Sequence, residues 1–391
     1  MAAPQIPNLL SLRGKPNSRR LDRNCETKLC TATTQQRRDI DIQGTDADAA
    51  VSRLSAVSMG YLNDKYASLF VKGPLVRRLP IINRGQSCIF AVLADIIAGT
   101  YVRTIALDTL IDSFLISNDY PKDRTLKQII SLGSGTDTRY FRFRDSKKYK
   151  RFVYHEFDFP EVSFAKRRTI LSQPELHRNS DSEYLWSAAE PLDKDSELKE
   201  WGFIRREENI EEVAYCFHPI DLRQITKKEN LLSFFGLRAD LPTLILSECC
   251  LCYMDVIESS AIIKWFTEKI PSIGIILYEP IGSDDSFGKM MISNLAARNI
   301  VMPSLSQFKT LSDQRKRLSE FGFNRTSPKT GCNAKDINET WEDWIPAAEK
   351  ARVNNLEGLD EVEEWQMLAK HYAIVWGWRS ISDEWNHWTK L

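Results

Sequence analysis

Carboxylates and glycines recur where apolar runs of this chain end. Residues 128–133, Gln-Ile-Ile-Ser-Leu-Gly, run into Ser134-Gly135-Thr136-Asp137-Thr138-Arg139. Glycines at such a point let the backbone turn tightly and approach a ligand. A second apolar run, 151–158, closes on Glu156 and Asp158. An acid there can accept hydrogen bonds from both hydroxyls of a ribose. The run at 213–218 is followed by Asp221 and Leu222. Asp221 could take a proton from an adenine amino group while Leu222 packs on the ring. The run at 243–248 ends on Glu248, which could bind an amino group. A dinucleotide site requires G-x-G-x-x-G, whose last glycine brings helix and strand together. Thr138 occupies that position here, which suits a ligand without a pyrophosphate. One glycine turn with three successive strand-end acids fits S-adenosyl-L-methionine. Taken singly, a strand-end aspartate is more often a turn or helix-cap residue than a ligand.

The residues that would signal other chemistry are poorly placed for it. His155 and His218 lie inside apolar runs and read as packed core residues, not bases. Cys249, Cys250 and Cys252 read as buried structural thiols, since cysteine packs as a small hydrophobe and no histidine is near in sequence. The cysteines form neither paired CxxC motifs nor a disulfide framework, so no metal is expected and a reducing compartment is. Seven late tryptophans, from Trp341 to Trp388, read as core and surface anchors.

Those sites need a scaffold. Five short apolar runs, the fifth at 274–279, alternate with helical stretches, which predicts an α/β fold with a parallel sheet covered on both faces. Residues 372–376 add a late strand. Asp255 is the expected N-cap of a helix carrying Ile262, Trp265, Phe266 and Ile270 on one face. Ahead of the sheet, Leu54, Val57, Tyr61 and Leu62 recur at helical spacing, as do Val102, Ala106, Leu110 and Phe114. The organisation predicted is a disordered tail over 1–46, a helical lid over 47–125 and a Rossmann-like core over 126–391. Residues 172–212 read as a polar surface excursion.

Composition narrows the partners. Lysine plus arginine and aspartate plus glutamate are both 53, giving a formal net charge of zero, a poor basis for general binding of nucleic acid or anionic membrane. The longest apolar run, 88–98, is interrupted by Asp95 and is too short for a bilayer. Residues 1–21 are basic and acid-free in the manner of a transit peptide, but Pro4, Pro7 and Pro16 break an amphipathic helix, so a cytoplasmic protein is expected.

Several motifs together resemble one family. Val57-Ser-Met-Gly-Tyr61, Ile82-Asn-Arg-Gly85, Leu132-Gly-Ser-Gly-Thr-Asp-Thr138 and His155-Glu-Phe-Asp-Phe-Pro160 are similar to those of leucine carboxyl methyltransferases of the fungal type. So are Leu241-Pro-Thr-Leu244, Ser247-Glu248, Tyr253-Met254 and Phe287-Gly-Lys-Met-Met291. The resemblance covers about Ser52 to Trp376. It implies a class I, Rossmann-like methyltransferase fold. It also implies methylation of the C-terminal leucine α-carboxylate on the tail of the protein phosphatase 2A catalytic subunit. By the same resemblance the donor site comprises Arg53, Arg103, Gly133, Asp158, Asp221, Leu222 and Glu248. Arg103 would pair with the donor's carboxylate and Glu248 with its ammonium, and the protein would be a monomer. A methyltransferase for small-molecule acids, and a catalytically weakened scaffold that binds the phosphatase, are the rival readings. A related family that methylates a modified tRNA base carries kelch repeats, which this chain lacks.

An α-carboxylate has a reference pKa of ~3.3–3.7 and is ionised at pH 7. Methyl transfer to it needs no general base, so no catalytic acid–base residue is expected. Met290, Met291, Phe287 and Leu295 fall at helical spacing and could wall a peptide pocket. The chain departs from its relatives over 86–99, an apolar segment between Ile82-Asn-Arg-Gly85 and Arg103 that resembles a retained intron. A genuine lineage-specific loop is the alternative.

Overall fold

Four of the apolar runs, joined by the one at 213–218, form the parallel heart of one sheet: β1 (Lys127–Leu132), β2 (Phe152–Asp158), β6 (Thr243–Glu248) and β7 (Ile273–Pro280). They are buried almost throughout, as strands covered on both faces must be. The structure, a computed structural model, describes residues 33–71, 87–116, 126–177, 183–187, 199–207, 210–356, 362–380 and 385–391, apart from 147, 150, 325, 326 and 328. For 87–97 only the helical backbone is described.

The remaining strands are β3 (Glu183–Ser187), β4 (Trp201–Glu207), β5 (Ile210–Pro219), β8 (Thr330–Asp336) and β9 (Tyr372–Arg379). The nine lie in the order β3-β4-β5-β2-β1-β6-β7-β9-β8. Pairing is parallel from β5 through β2, β1 and β6 to β7, and antiparallel at both margins. The sheet is therefore mixed, where the sequence pattern predicted a parallel one. Residues 172–212 are not a surface excursion either, because β3 and β4 lie within them. Trp201 and Phe203 on β4 are each 1% exposed and pack on the sheet's inner face. Gly202 between them is pressed against β5, where a Cβ would lie 1.9 Å from the Tyr215 carbonyl oxygen.

Three helices bear on the site. α1 (Thr34–Ser58) starts well before Ala49 and occupies most of 33–46, which sequence reasoning assigned to a disordered tail. A capping box closes its start: Gln36 N donates to Thr33 Oγ1 at 3.2 Å, and Thr33 N to Gln36 Oε1 at 2.8 Å. Residues 1–32 lie outside the described part. α2 (Ser87–Leu115) is one unbroken helix, so most of the segment at 86–99 continues the lid helix backward instead of looping out. Gln86 lies outside the described residues. Val102, Ala106, Leu110 and Phe114 on α2 are all fully buried, as their spacing predicts. α3 (Arg139–Asp145) follows the glycine turn. No helix among the described residues is long and apolar enough to cross a membrane.

The C-terminal segment fastens this helical layer to the sheet. Trp385 stacks on Phe114 at 4.5 Å between centroids, and Trp388 Nε1 donates to the Leu110 carbonyl at 3.1 Å. Hydrophobic clusters fill both faces of the sheet, one built on α2, α3 and the late tryptophans, the other on the helix that Asp255 caps (Val256–Lys269).

Candidate functional site

Topology brings the strand-end residues together. The chain moves from β1 outward to β2 and β5, then returns to place β6 on the other side of β1. Ligands in open α/β sheets bind at such a reversal, outside the carboxyl ends of the strands. Leu132 is paired with Phe157 on β2 and Ser247 on β6, so the next residues, Gly133, Asp158 and Glu248, emerge side by side.

The turn after β1 depends on its glycines. Gly133 has φ +64° and Gly135 φ +47°, both in the left-handed region. A Cβ on Gly133 would lie 2.5 Å from Cys250 Sγ, and one on Gly135 2.2 Å from Asp46 Oδ1. Two carboxylates hold the turn. Gly135 N donates to Asp158 Oδ2 at 2.8 Å, and Thr136 N to Asp46 Oδ1 at 2.8 Å. Arg53 Nη1 donates to the Thr136 carbonyl at 3.0 Å. Burial pushes the Asp158 carboxyl up to about 7, with Asp46 adding to the rise against the stabilising N–H groups of Gly135 and Phe159.

Glu248 sits in an ion cluster. Arg103 Nε approaches its Oε1 at 2.8 Å and Arg139 Nη1 its Oε2 at 2.7 Å. Arg139 also pairs with Asp137 at 2.8 Å and Asp108 at 2.9 Å, and Arg142 with Asp108 at 2.7 Å. Burial works against ionised Glu248, but the Arg139 and Arg103 guanidinium groups outweigh it and hold its carboxyl below the usual range. Three arginines against three acids keep the cluster neutral. Arg139, Asp108 and Asp46 had no predicted role. One signal for Arg139 was available: a cation in the first turn of a helix opposes the helix dipole and needs acids to hold it.

Arg103, Asp137 and Glu248 of this cluster face a cavity of about 670 Å³. Arg53, Arg103, Gly133, Asp158, Leu222 and Glu248 all line it. Asp221 does not. Its carboxylate caps Arg223 N at 3.0 Å and is held by the Arg223 guanidinium at 2.6 and 2.9 Å. That pairing turns it from the cavity wall toward a helix-cap role. Cys249 and Cys250 line the cavity, so only Cys252 is the fully buried thiol that all three were expected to be. Of the stretch expected to wall a peptide pocket, only Leu295 does so; Met290 is exposed and Phe287 packs against His371. Glu156 is buried below the floor, where it accepts from Lys166 Nζ at 2.5 Å, Tyr215 Oη at 2.8 Å and Ser134 Oγ at 3.0 Å. It braces the glycine turn from behind.

Much of one wall is α1. Asp39 pairs with Arg223 at 2.8 Å, Asp46 holds Thr136, and Asp48 pairs with Arg298. Opposite, Tyr278 and Tyr372 stack at 5.4 Å, with Arg103 above Tyr278 at 5.3 Å. No histidine is among the described residues that line the cavity. His155 and His218 lie in the core, stacked on each other, with His155 Nδ1 2.9 Å from His218 Nε2. Burial pushes both below the usual imidazole range. Cys216 lies beside them, the three offering ligand atoms within 4.8 Å of one another.

Comparison with known proteins places the chain in a family. The family model described as leucine carboxyl methyltransferase matches residues 41–267. Leucine carboxyl methyltransferase 1 of Emericella nidulans is 38% identical, covering 100% of this chain and 98% of its own length. The chain belongs to the leucine carboxyl methyltransferase family. Leucine carboxyl methyltransferase 1 of Schizosaccharomyces pombe is 35% identical over 89% of this chain and 96% of its own. The tRNA wybutosine-synthesizing protein 4 of Homo sapiens is 31% identical over 88% of this chain, but over only 44% of its own length. Among solved structures, the Synechocystis magnesium protoporphyrin IX methyltransferase aligns with 83% of this chain at 11% identity and a TM-score of 0.35. In this methyltransferase the family match begins at residue 41, inside α1, so it takes in the helix that sequence reasoning had mostly left to the tail.

Proposed function

We propose that this protein transfers a methyl group from S-adenosyl-L-methionine to the C-terminal leucine α-carboxylate of the protein phosphatase 2A catalytic subunit, giving a leucine methyl ester. The observation that carries the reading is the convergence of Gly133, Asp158 and Glu248 on one cavity at the topological reversal. The donor set fits the methyl donor. Gly133 lines the cavity with no side chain between its backbone and a ligand. Arg103 and Glu248 offer opposite charges for an amino-acid zwitterion. Asp158 offers a carboxylate for ribose hydroxyls and Leu222 an apolar surface for a base. Asp221 reaches the base only by giving up part of its pairing with Arg223.

When bound, the donor supplies an electrophilic sulfonium methyl, so that the acceptor's oxygen–carbon bond forms as the carbon–sulfur bond breaks. The protein's own residues align and exclude water. The acceptor carboxylate is ionised at neutral pH, so no side chain has to remove a proton. The test is methylation of the phosphatase catalytic subunit with and without its last leucine. The reading expects label only on the intact subunit; equal labelling of the shortened one would contradict it.

A further inference from the structure

The cavity is lined by a cation outside the set assigned to the donor. Five arginines line it: Arg38, Arg53, Arg103, Arg223 and Arg298. Arg53 and Arg103 serve the glycine turn and Glu248. Arg223 is held between Asp221 and Asp39, and Arg38 lies on the same turn of α1 as Asp39, at that end of the cavity. Arg298 stands apart. Its partner on α1 is Asp48, nine residues beyond Asp39, which at 1.5 Å per residue is about 13 Å further along the helix axis. The residues nearest Arg298 in sequence that also line the cavity, Leu295, Ile300, Met302 and Pro303, are all apolar.

An isolated cation beside an apolar cup is the complement of a peptide end that combines an aliphatic side chain with a free carboxylate. We infer that Arg298 is the residue that receives the acceptor's terminal carboxylate, and that Asp48 occupies its place until the acceptor arrives. This rests on the methyl-acceptor reading above. Asp48 is suited to that role because its side chain is 59% exposed and that of Arg298 32%. An ion pair so open to water contributes little and exchanges readily. The arginine fork can hold a carboxylate in a fixed plane, which orients the attacking oxygen. Arg298 is on this account a positioning residue. The apolar cup selects the side chain, and the cation rejects an end that is amidated or already esterified.

Steady-state kinetics with the phosphatase catalytic subunit as acceptor, and calorimetry with S-adenosylhomocysteine, test this on the full chain. Arg298→Ala should raise the acceptor KM tenfold or more while the nucleoside affinity stays within twofold. Arg298→Lys should recover part of the loss. Asp48→Asn should lower the acceptor KM, because the competing carboxylate is gone. An unchanged KM in Arg298→Ala overturns the inference. So does a nucleoside affinity that falls in step with KM, or a KM in Asp48→Asn that is unchanged or raised, which would make the pair a latch for α1. If the wild type leaves the terminal leucine unmodified, the acceptor reading itself fails. If the wild type methylates it and Arg298→Ala does so at the same KM, only the assignment of Arg298 fails.

Discussion

Replacing Glu248 removes the common partner of two arginines, Arg103 at 16% and Arg139 at 2% side-chain exposure. Glu248→Ala should therefore weaken donor binding by roughly ten- to a hundredfold, the range of a lost charge-assisted hydrogen bond at ~1.5–3 kcal/mol. Calorimetry with S-adenosylhomocysteine checks it, and unchanged affinity would contradict the assignment. Asp158 adds a pH dependence that sequence alone did not suggest. With its carboxyl pushed up to about 7, it loses its acceptor charge as pH falls through neutrality. Donor affinity should fall from pH 8 to pH 6, whereas kcat at saturating donor stays flat because the acceptor carboxylate remains ionised. Asp158→Asn should abolish the pH dependence of affinity. At this scale the strand-end positions of Gly133, Asp158 and Glu248 were legible, since each closes an apolar run. What each side chain touches was not. Asp221 faces Arg223 two residues on, and Cys250 packs on Gly133 across the two strand ends, contacts set by tertiary structure.

The elements divide by the kind of signal that specifies them. Strands buried on both faces are continuous apolar runs, and β1, β2, β5, β6 and β7 could be read directly. β4 is buried from Trp201 to Arg205, but Gly202 and Arg205 interrupt its apolar residues, and β8 reads Thr-Gly-Cys-Asn-Ala-Lys-Asp with no run at all. The second half of α1 was read from Leu54 and Val57, though the helix ends at Ser58, short of Tyr61 and Leu62; its first half escaped notice because polar contacts to the cavity hold it: Asp39, Asp46 and Asp48 each bond across the site, while its buried residues start only at Ala50. Removing residues 1–46 should therefore lower donor affinity at least tenfold and leave the thermal midpoint nearly unchanged. Calorimetry and thermal unfolding on one preparation decide this, and a truncated protein that binds donor normally would show that α1 is no part of the site. We also propose that 86–99 is dispensable. Excision removes the first turns of α2 and leaves it from Thr100 onward, with Ala98 in the core and Gly99 at the cavity as the described side of the segment. A shortened protein should bind donor as well as the full one and be more soluble. Loss of donor binding would show the segment to be integral.

Across the whole molecule, neutrality is arranged locally. The formal net charge is zero, and the densest charges, around Glu248 and Arg139, cancel within one cluster. The opposite arrangement occurs in the core, where His155 and His218 are buried with their imidazoles pushed below the usual range. Both stay neutral in the fold while the unfolded chain takes up protons below about pH 6.5. Stability is thus fully present above that value and is lost as pH falls below it, by up to about 1.4 kcal/mol per pH unit for each group. Urea midpoints at pH 7.5 and 5.5 should differ accordingly, and His155→Gln should reduce the difference; equal midpoints in the wild type would contradict the buried neutral pair.

The central claim is that the cavity at the sheet's reversal makes a methyl ester on a terminal leucine. The most direct measurement is mass spectrometry of the acceptor's C-terminal peptide after reaction, before and after mild alkali. The account predicts one added methyl on the last residue, released as methanol by alkali and absent when Glu248→Ala replaces the wild type at limiting donor. A methyl that resists alkali, or that maps to any other residue, would contradict it.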